Sequence, residues 1–91
     1  MQELISALEK TIEFLKNSTD SDWAAQSVSE AKETLEKELE TYKQKQKFSF
    51  LGKGKIKFLF LPTGTLQEIS LDNGWSSEYL QISEIIDKYT K

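Results

Sequence analysis

The segment FSFLGKGKIKFLFL, residues 48–61, determines the predicted fold because its apolar residues recur at every second position. The alternating residues are Phe48 and Phe50, followed by Ile56, Phe58 and Phe60. A period of two places alternate side chains on one face of a β-strand. Gly52-Lys53-Gly54, between the two runs, supplies the backbone freedom that a hairpin loop requires. We therefore predict two antiparallel strands over this segment.

A third strand is predicted directly after them. Pro62-Thr63-Gly64 is typical of a turn that ends the second strand, and the chain then continues into Leu66–Leu71. Leu59 and Leu61 point away from the alternating set, so the middle strand is apolar on both faces. We expect helices, or a second copy of the chain, to cover that second face.

Two helices are predicted before the strands. The first spans about Gln2 to Lys16, with an apolar stripe at three- and four-residue spacing: Leu4, Ile5, Leu8, Ile12 and Leu15. Thr19 and Asp22 resemble a variant capping box for the second helix, which places Trp23 at its start. The stripe of that helix is Ala24, Val28, Ala31, Leu35, Leu39 and Tyr42. A helical hairpin follows from these two patterns.

A last helix closes the chain. Asp72-Asn73-Gly74 is a turn signal, and Ser76 or Ser77 can cap a helix in which Tyr79, Ile82, Ile86 and Tyr89 return to helical spacing. The predicted fold class is therefore α+β, in the order ααβββα: an N-terminal helical hairpin, a three-stranded antiparallel meander and a C-terminal helix. The absence of repeats and linkers predicts one domain over residues 1–91.

Composition narrows the chemistry. The chain has no cysteine and no histidine, so it lacks the residues for disulfides, thiolate or imidazole metal sites and Ser-His-Asp triads. We therefore expect a non-catalytic protein with no cofactor and no metal. The N-terminus has no basic leader, and the longest apolar run, Phe58 to Pro62, is too short to span a bilayer. These features predict a cytoplasmic protein with no membrane partner.

Charge is distributed unevenly along the chain, whose net charge is −3. Residues 41–67 contain no acid and six lysines, namely Lys43, Lys45, Lys47, Lys53, Lys55 and Lys57. With the interleaved phenylalanines, this segment is a candidate surface for nucleic acid or another polyanion. The alternation favours a core role for those phenylalanines, and the acidic remainder would repel a polyanion. Nucleic-acid binding is therefore an alternative rather than the first hypothesis.

Aromatic residues near acids are candidates for contact with a protein partner. Trp75 follows a turn and lies among polar residues, so it fits a half-exposed partner contact and a core plug equally well. For Trp23 a core role is favoured. The acids on the second helix form an exposed face, which is ordinarily only solvated.

The chain has a leucine-rich first helix, then Ser21-Asp22-Trp23-Ala24, and then Phe50-Leu51-Gly52-Lys53-Gly54 ahead of the predicted strands and a last helix. This order resembles that of small bacterial immunity proteins, which neutralise a cognate toxin. It implies a protein that binds a toxin domain, commonly a nuclease, whose basic substrate groove an acidic surface complements. The predicted partner-binding residues are Glu33, Glu36, Glu40, Glu68, Asp72, Trp75 and Glu78. A structural or regulatory homodimer is a further alternative.

Overall fold

Five α-helices make up the chain in the computed structural model, which describes residues 2–22, 24–61 and 64–90. They are α1 (Gln2–Lys16), α2 (Val28–Lys45), α3 (Gly52–Leu59), α4 (Thr65–Asn73) and α5 (Ser76–Thr90). No strand occurs in those residues. The predicted α+β class with a three-stranded meander is therefore wrong. The predictions made for Trp23 and for Pro62-Thr63 fall outside the described residues.

Helix α1 has the bounds that its apolar spacing predicts. Leu4, Leu8 and Leu15 are buried against the rest of the core, and α2 packs alongside. At its C-terminal end, Asn17 Nδ2 donates to the Glu13 carbonyl and Ser18 Oγ donates to the Phe14 carbonyl. These bonds satisfy carbonyl groups that have no partner within the helix.

Helix α2 begins later than predicted. Ser27 is its N-cap: the Ser27 hydroxyl accepts from the Glu30 N–H, and the Glu30 carboxylate accepts from the Ser27 N–H. Asp20 Oδ1 accepts from the Val28 N–H at 2.8 Å, which satisfies a further amide of the first turn. The capping box predicted at Thr19 and Asp22 is therefore wrong. Ser27 and Glu30 have the same three-residue spacing, and Ser27 directly precedes the first residue of the helix.

Helix α3 replaces the predicted hairpin. Its buried residues, Gly52, Ile56 and Leu59, recur at helical spacing, and Phe60 follows them into the core. Phe58, which the alternation places with Ile56, is exposed instead. The run from Ile56 to Leu61 fits both the period of two of a strand and the period of 3.6 of a helix. Packing against the other helices therefore determines which secondary structure forms.

A buried carboxylate holds the start of α3. Glu38 lies on α2 and is only 4% exposed, although the sequence places it on a solvated face. Its Oε1 accepts from the Ser49 N–H at 3.1 Å, and its Oε2 accepts from the Ser49 hydroxyl at 2.9 Å. A Cβ on Gly52 would overlap this carboxylate. The negative charge thus lies against a helix N-terminus whose first turn has no acid of its own.

Helix α4 replaces the predicted third strand. Leu66, Ile69 and Ser70 are buried at helical spacing, whereas Leu71 is exposed. The turn signal at Asp72-Asn73-Gly74 is where α4 ends: Gly74 takes the left-handed conformation, with φ of 80°, and its N–H donates to the Ser70 carbonyl. The last helix is confirmed, since α5 runs from Ser76 to the end of the described residues. The predicted cap is wrong, because Ser76 and Ser77 both lie inside the helix.

Two glycines of α3 give a matched test of the Glu38 contact. Gly52→Ala should lower the free energy of unfolding by about 1–3 kcal/mol, because its Cβ must displace the Glu38 carboxylate or the helix. Gly54 has open space around its Cβ position, so Gly54→Ala should raise that free energy by about 0.5–1 kcal/mol. Urea unfolding followed by circular dichroism measures both. Equal effects of the two substitutions would contradict the packing of Glu38 on α3.

Tyr79 makes stability depend on alkaline pH. Burial raises the pKa of Tyr79 from 10.0 to about 12, and its hydroxyl donates to the Leu61 carbonyl. The unfolded chain releases this proton first, so the free energy of unfolding should fall as pH rises from 10 towards 12 and be unaffected by this group below pH 10. Tyr79→Phe should reduce this decrease in the free energy of unfolding, as measured by urea unfolding at a series of pH values. Tyr89→Phe, at a half-exposed tyrosine, is the control and should show the same decrease as the wild-type protein.

Candidate binding site

A groove between α1 and α5 combines an apolar floor with charged rims. Its volume is about 410 Å³. The floor consists of Ala7 and Phe14 from α1 and Ile82 and Ile85 from α5. Phe14 and Ile85 remain partly exposed, so they offer apolar surface to an incoming side chain. A groove of this kind accepts an apolar group that is flanked by polar ones.

The rims of this groove, which we call the α1–α5 groove, carry acids on both sides. Glu3 and Glu13 come from α1 and Glu78 comes from α5, against one lysine, Lys10. The Glu3 carboxylate accepts from Lys88 Nζ at 3.2 Å, and this bond, with the charge of Lys88, lowers the pKa of Glu3. The other two rim acids, Glu13 and Glu78, are exposed. Carboxylates therefore flank the apolar floor on both sides, together with the exposed Lys10.

A second groove runs along the other side of α1, between α1 and α2. Four acids and two lysines line it, over a floor of Ile12 and Leu39; the charged residues are Glu9, Glu13, Lys16, Glu36, Glu40 and Lys43. Lys43 pairs with Glu9 at 3.3 Å, and Lys16 with Glu13 at 3.8 Å. Such exposed pairs are weak, so they leave the carboxylates open to a stronger basic partner. Glu13 borders both grooves, which makes the two acidic surfaces continuous across α1.

The structure brings only some of the predicted partner-binding acids together. Glu36 and Glu40 line the α1–α2 groove, and Glu78 lines the α1–α5 groove. Glu33 is exposed on α2 but lines neither groove. Glu68 and Asp72 lie on α4, away from both.

Sequence reasoning missed three acids of α1, namely Glu3, Glu9 and Glu13. They fall on the polar side of a predicted helix, where acids are ordinarily only solvated. The signal that distinguishes them is their position beside α2 and α5, and that position depends on contacts between distant parts of the chain.

Trp75 is a core residue. It is 3% exposed and its ring stacks on Phe14, with centroids 4.9 Å apart and planes at 4°. Its Nε1 donates to Ser18 Oγ at 2.9 Å, which satisfies the polar end of the indole. Trp75 cannot be an exposed partner contact in this fold. Because Trp75 stacks on Phe14, which lines the α1–α5 groove, it supports the floor of that groove.

Asn73 connects the same region to the loop after α1. Its Oδ1 accepts from the Thr19 N–H at 2.9 Å and its Nδ2 donates to the Thr19 carbonyl at 2.9 Å. Nδ2 also donates to the Ile69 carbonyl, within α4. These two hydrogen bonds to the Thr19 backbone hold the end of α4 against the loop that follows α1. They therefore help to position α5, which begins after the next turn, beside α1.

The predicted basic segment is divided by the fold. Lys43 lies in the acidic α1–α2 groove, whereas Lys53, Lys55 and Lys57 lie on α3, which does not contact α1. Among the described residues, no group of three acids is arranged to hold a metal ion. None of the described helices is both long enough and apolar enough to cross a membrane.

Comparison with known protein families, curated proteins and solved structures finds no match to this chain. The resemblance to immunity proteins therefore stays a prediction.

Substitution of Trp75 distinguishes the two roles considered for it. Trp75→Ala should lower the free energy of unfolding by about 3–5 kcal/mol, because it leaves a cavity beneath Phe14. Trp75→Phe keeps a ring but loses the hydrogen bond to Ser18, so it should lower the free energy of unfolding by about 1–3 kcal/mol. Leu80→Ala, at an exposed site on α5, is the control and should change stability by less than about 0.5 kcal/mol. Thermal and urea unfolding measure all three, and an unchanged stability of Trp75→Ala would contradict the core role.

Proposed function

We propose that this protein is a non-catalytic inhibitor of the immunity type, which binds a basic partner domain, such as a nuclease toxin domain, on its α1 side. The observation that supports this proposal best is the α1–α5 groove, where an apolar floor lies between carboxylates on both rims. This arrangement suits a segment of the partner that presents one apolar side chain between lysines or arginines.

Each part of the groove has a separate physical role. Burial of a partner side chain against Phe14, Ile82 and Ile85 supplies affinity, since the gain is roughly 25 cal/mol for each Å² of apolar surface removed from water. Carboxylates on the rims select basic partners and speed their association through long-range attraction. The apolar floor alone would not discriminate between partners of different charge.

The footprint extends beyond one groove. A stable protein complex buries about 800 Å² on each partner, which is more than a single groove of this size offers. Helix α1 is flanked by both grooves and Glu13 belongs to each of them, so a partner seated across α1 would meet the acids of both. The predicted residues Glu36, Glu40 and Glu78 fall within this larger surface.

The proposed mechanism of inhibition is occlusion. A nuclease binds the phosphates of its substrate with basic residues, and an acidic partner competes for those residues. The inhibitor needs no catalytic group for this role. The polyanion alternative receives less support, because Lys43 of the predicted basic segment lies in the acidic groove and pairs there with Glu9.

Charge reversal tests the proposed surface. The tagged protein is used to capture its partner from a lysate of the source cells, and the purified partner is then titrated by calorimetry. Glu13→Lys with Glu78→Lys should weaken the Kd by at least about tenfold, mainly through slower association at low salt. Ile85→Ser should weaken it through faster dissociation, because it removes apolar floor.

The matched control is Glu68→Lys with Asp72→Lys, which makes the same change of charge on α4, outside both grooves. This control should alter the Kd by no more than about twofold to threefold. If the α4 pair weakens binding and the groove pair does not, the partner binds at α4 and the proposed surface is wrong. Recovery of an acidic protein, or of nucleic acid alone, would contradict the proposed function itself.

A further inference from the structure

Helix α3 presents apolar side chains to solvent as well as to the core. Its inner face packs through Gly52, Ile56 and Leu59. Its outer side carries Phe58, which is 48% exposed. Other large exposed apolar residues flank the helix: Phe50 (99% exposed) and Leu51 (63%) precede it, and Leu61 (44%) follows it. Leu51 and Phe58 line one shallow depression of about 590 Å³, so these two residues are neighbours on the surface, and Phe50 adjoins Leu51 in the chain.

Three lysines lie on the same helix. Lys53, Lys55 and Lys57 are exposed on α3, and Lys55 lines the depression together with Leu51 and Phe58. Residues 41–67 contain no acid, although the buried Glu38 of α2 lies against the start of α3. We call Phe50, Leu51, Phe58 and Leu61, with these three lysines, the α3 patch.

We propose that the α3 patch adsorbs this protein to the surface of an anionic lipid bilayer. Phenylalanine and leucine insert at the boundary between headgroups and acyl chains, while lysines remain among the anionic headgroups. Clusters of lysine beside apolar side chains are attracted to anionic lipid in this way, and adsorption needs no membrane-spanning helix. The prediction of no membrane partner rests on the lack of a basic leader and of a spanning apolar run, and neither feature bears on adsorption to a surface.

The charge and the side chains of the α3 patch argue against two other partners, a second copy of the chain and a single strand of nucleic acid. A second copy docked patch to patch would bring two sets of three lysines together, and this repulsion disfavours a symmetric dimer. A single strand of nucleic acid would stack its bases on Phe50 and Phe58, but Leu51 and Leu61 offer no ring for stacking. A lipid surface uses the leucines and the phenylalanines equally.

The proposal is compatible with partner binding on the α1 side. Helices α1 and α3 do not contact each other; both pack on α2 and on α5, and α3 also packs on α4. Adsorption through α3 therefore uses no residue that lines the α1–α5 groove. The two surfaces are tested separately, because the α3 patch shares no residue with the grooves.

Co-sedimentation with vesicles tests the proposal on the full chain. The probes are vesicles of phosphatidylcholine alone and vesicles in which about a third of the lipid is phosphatidylglycerol. The wild-type protein should bind the anionic vesicles at least about tenfold more strongly than the neutral ones. Phe50→Ser with Leu51→Ser, and separately Lys53→Glu with Lys57→Glu, should each reduce binding to anionic vesicles by about tenfold or more.

The control is Leu71→Ser with Leu80→Ser, which removes two exposed leucines outside the patch and should leave vesicle binding unchanged. Circular dichroism verifies that each variant is folded. Equal loss of binding in this control would overturn the proposal, as would absence of binding by the folded wild-type protein. The proposal would also be overturned if a fluorescent oligothymidylate bound through the same four residues more tightly than the anionic vesicles, or if sedimentation velocity showed a dimer that Phe50→Ser with Leu51→Ser dissolves.

Discussion

The contact between Glu38 and the turn before α3 is the interaction on which the placement of that helix depends. A carboxylate that is almost fully buried needs hydrogen bonds, and Ser49 supplies two of them. Because Gly52 has no side chain, the backbone of α3 can approach this carboxylate closely. Once the helix begins there, Ile56 and Leu59 must face the core, and Phe58 must face outwards. The exposed patch on α3 is therefore a consequence of how the helix is held.

On the other side of the molecule, a row of aromatic rings connects the helices that form the α1–α5 groove. Phe14 stacks on Trp75, Trp75 meets Tyr79 edge to face, and Tyr79 stacks on Phe60 beyond the end of α3. The side chain of Asn73 holds the neighbouring turn to the backbone after α1. The floor of the groove is thus supported by buried rings, so it is a firm surface rather than one that a partner must form.

Separation of charge gives the molecule two different faces. Acids of α1, α2 and α5 surround α1 and outnumber the lysines among them, whereas three lysines and four exposed apolar residues lie on and around α3. A net charge of −3 conceals this separation, because it sums over both faces. The proposed recognition of a basic protein and the proposed adsorption to an anionic surface require opposite local charges. The fold places these charges on α1 and α3, which do not contact each other.

The sequence by itself determined the first and last helices and the absence of histidine and cysteine chemistry, since a long apolar stripe of one period permits one secondary structure. It also located the turn at Asn73-Gly74, where a left-handed glycine ends α4. Only the tertiary structure decided the secondary structure of residues 48–71, because the short apolar runs there fit a strand and a helix equally well. It also decided which acids share a groove, and whether Trp75 is buried. The physical reason is the same in each case: contacts between residues far apart in the chain, such as Glu38 with Ser49 and Trp75 with Phe14, choose between structures that local spacing leaves equal.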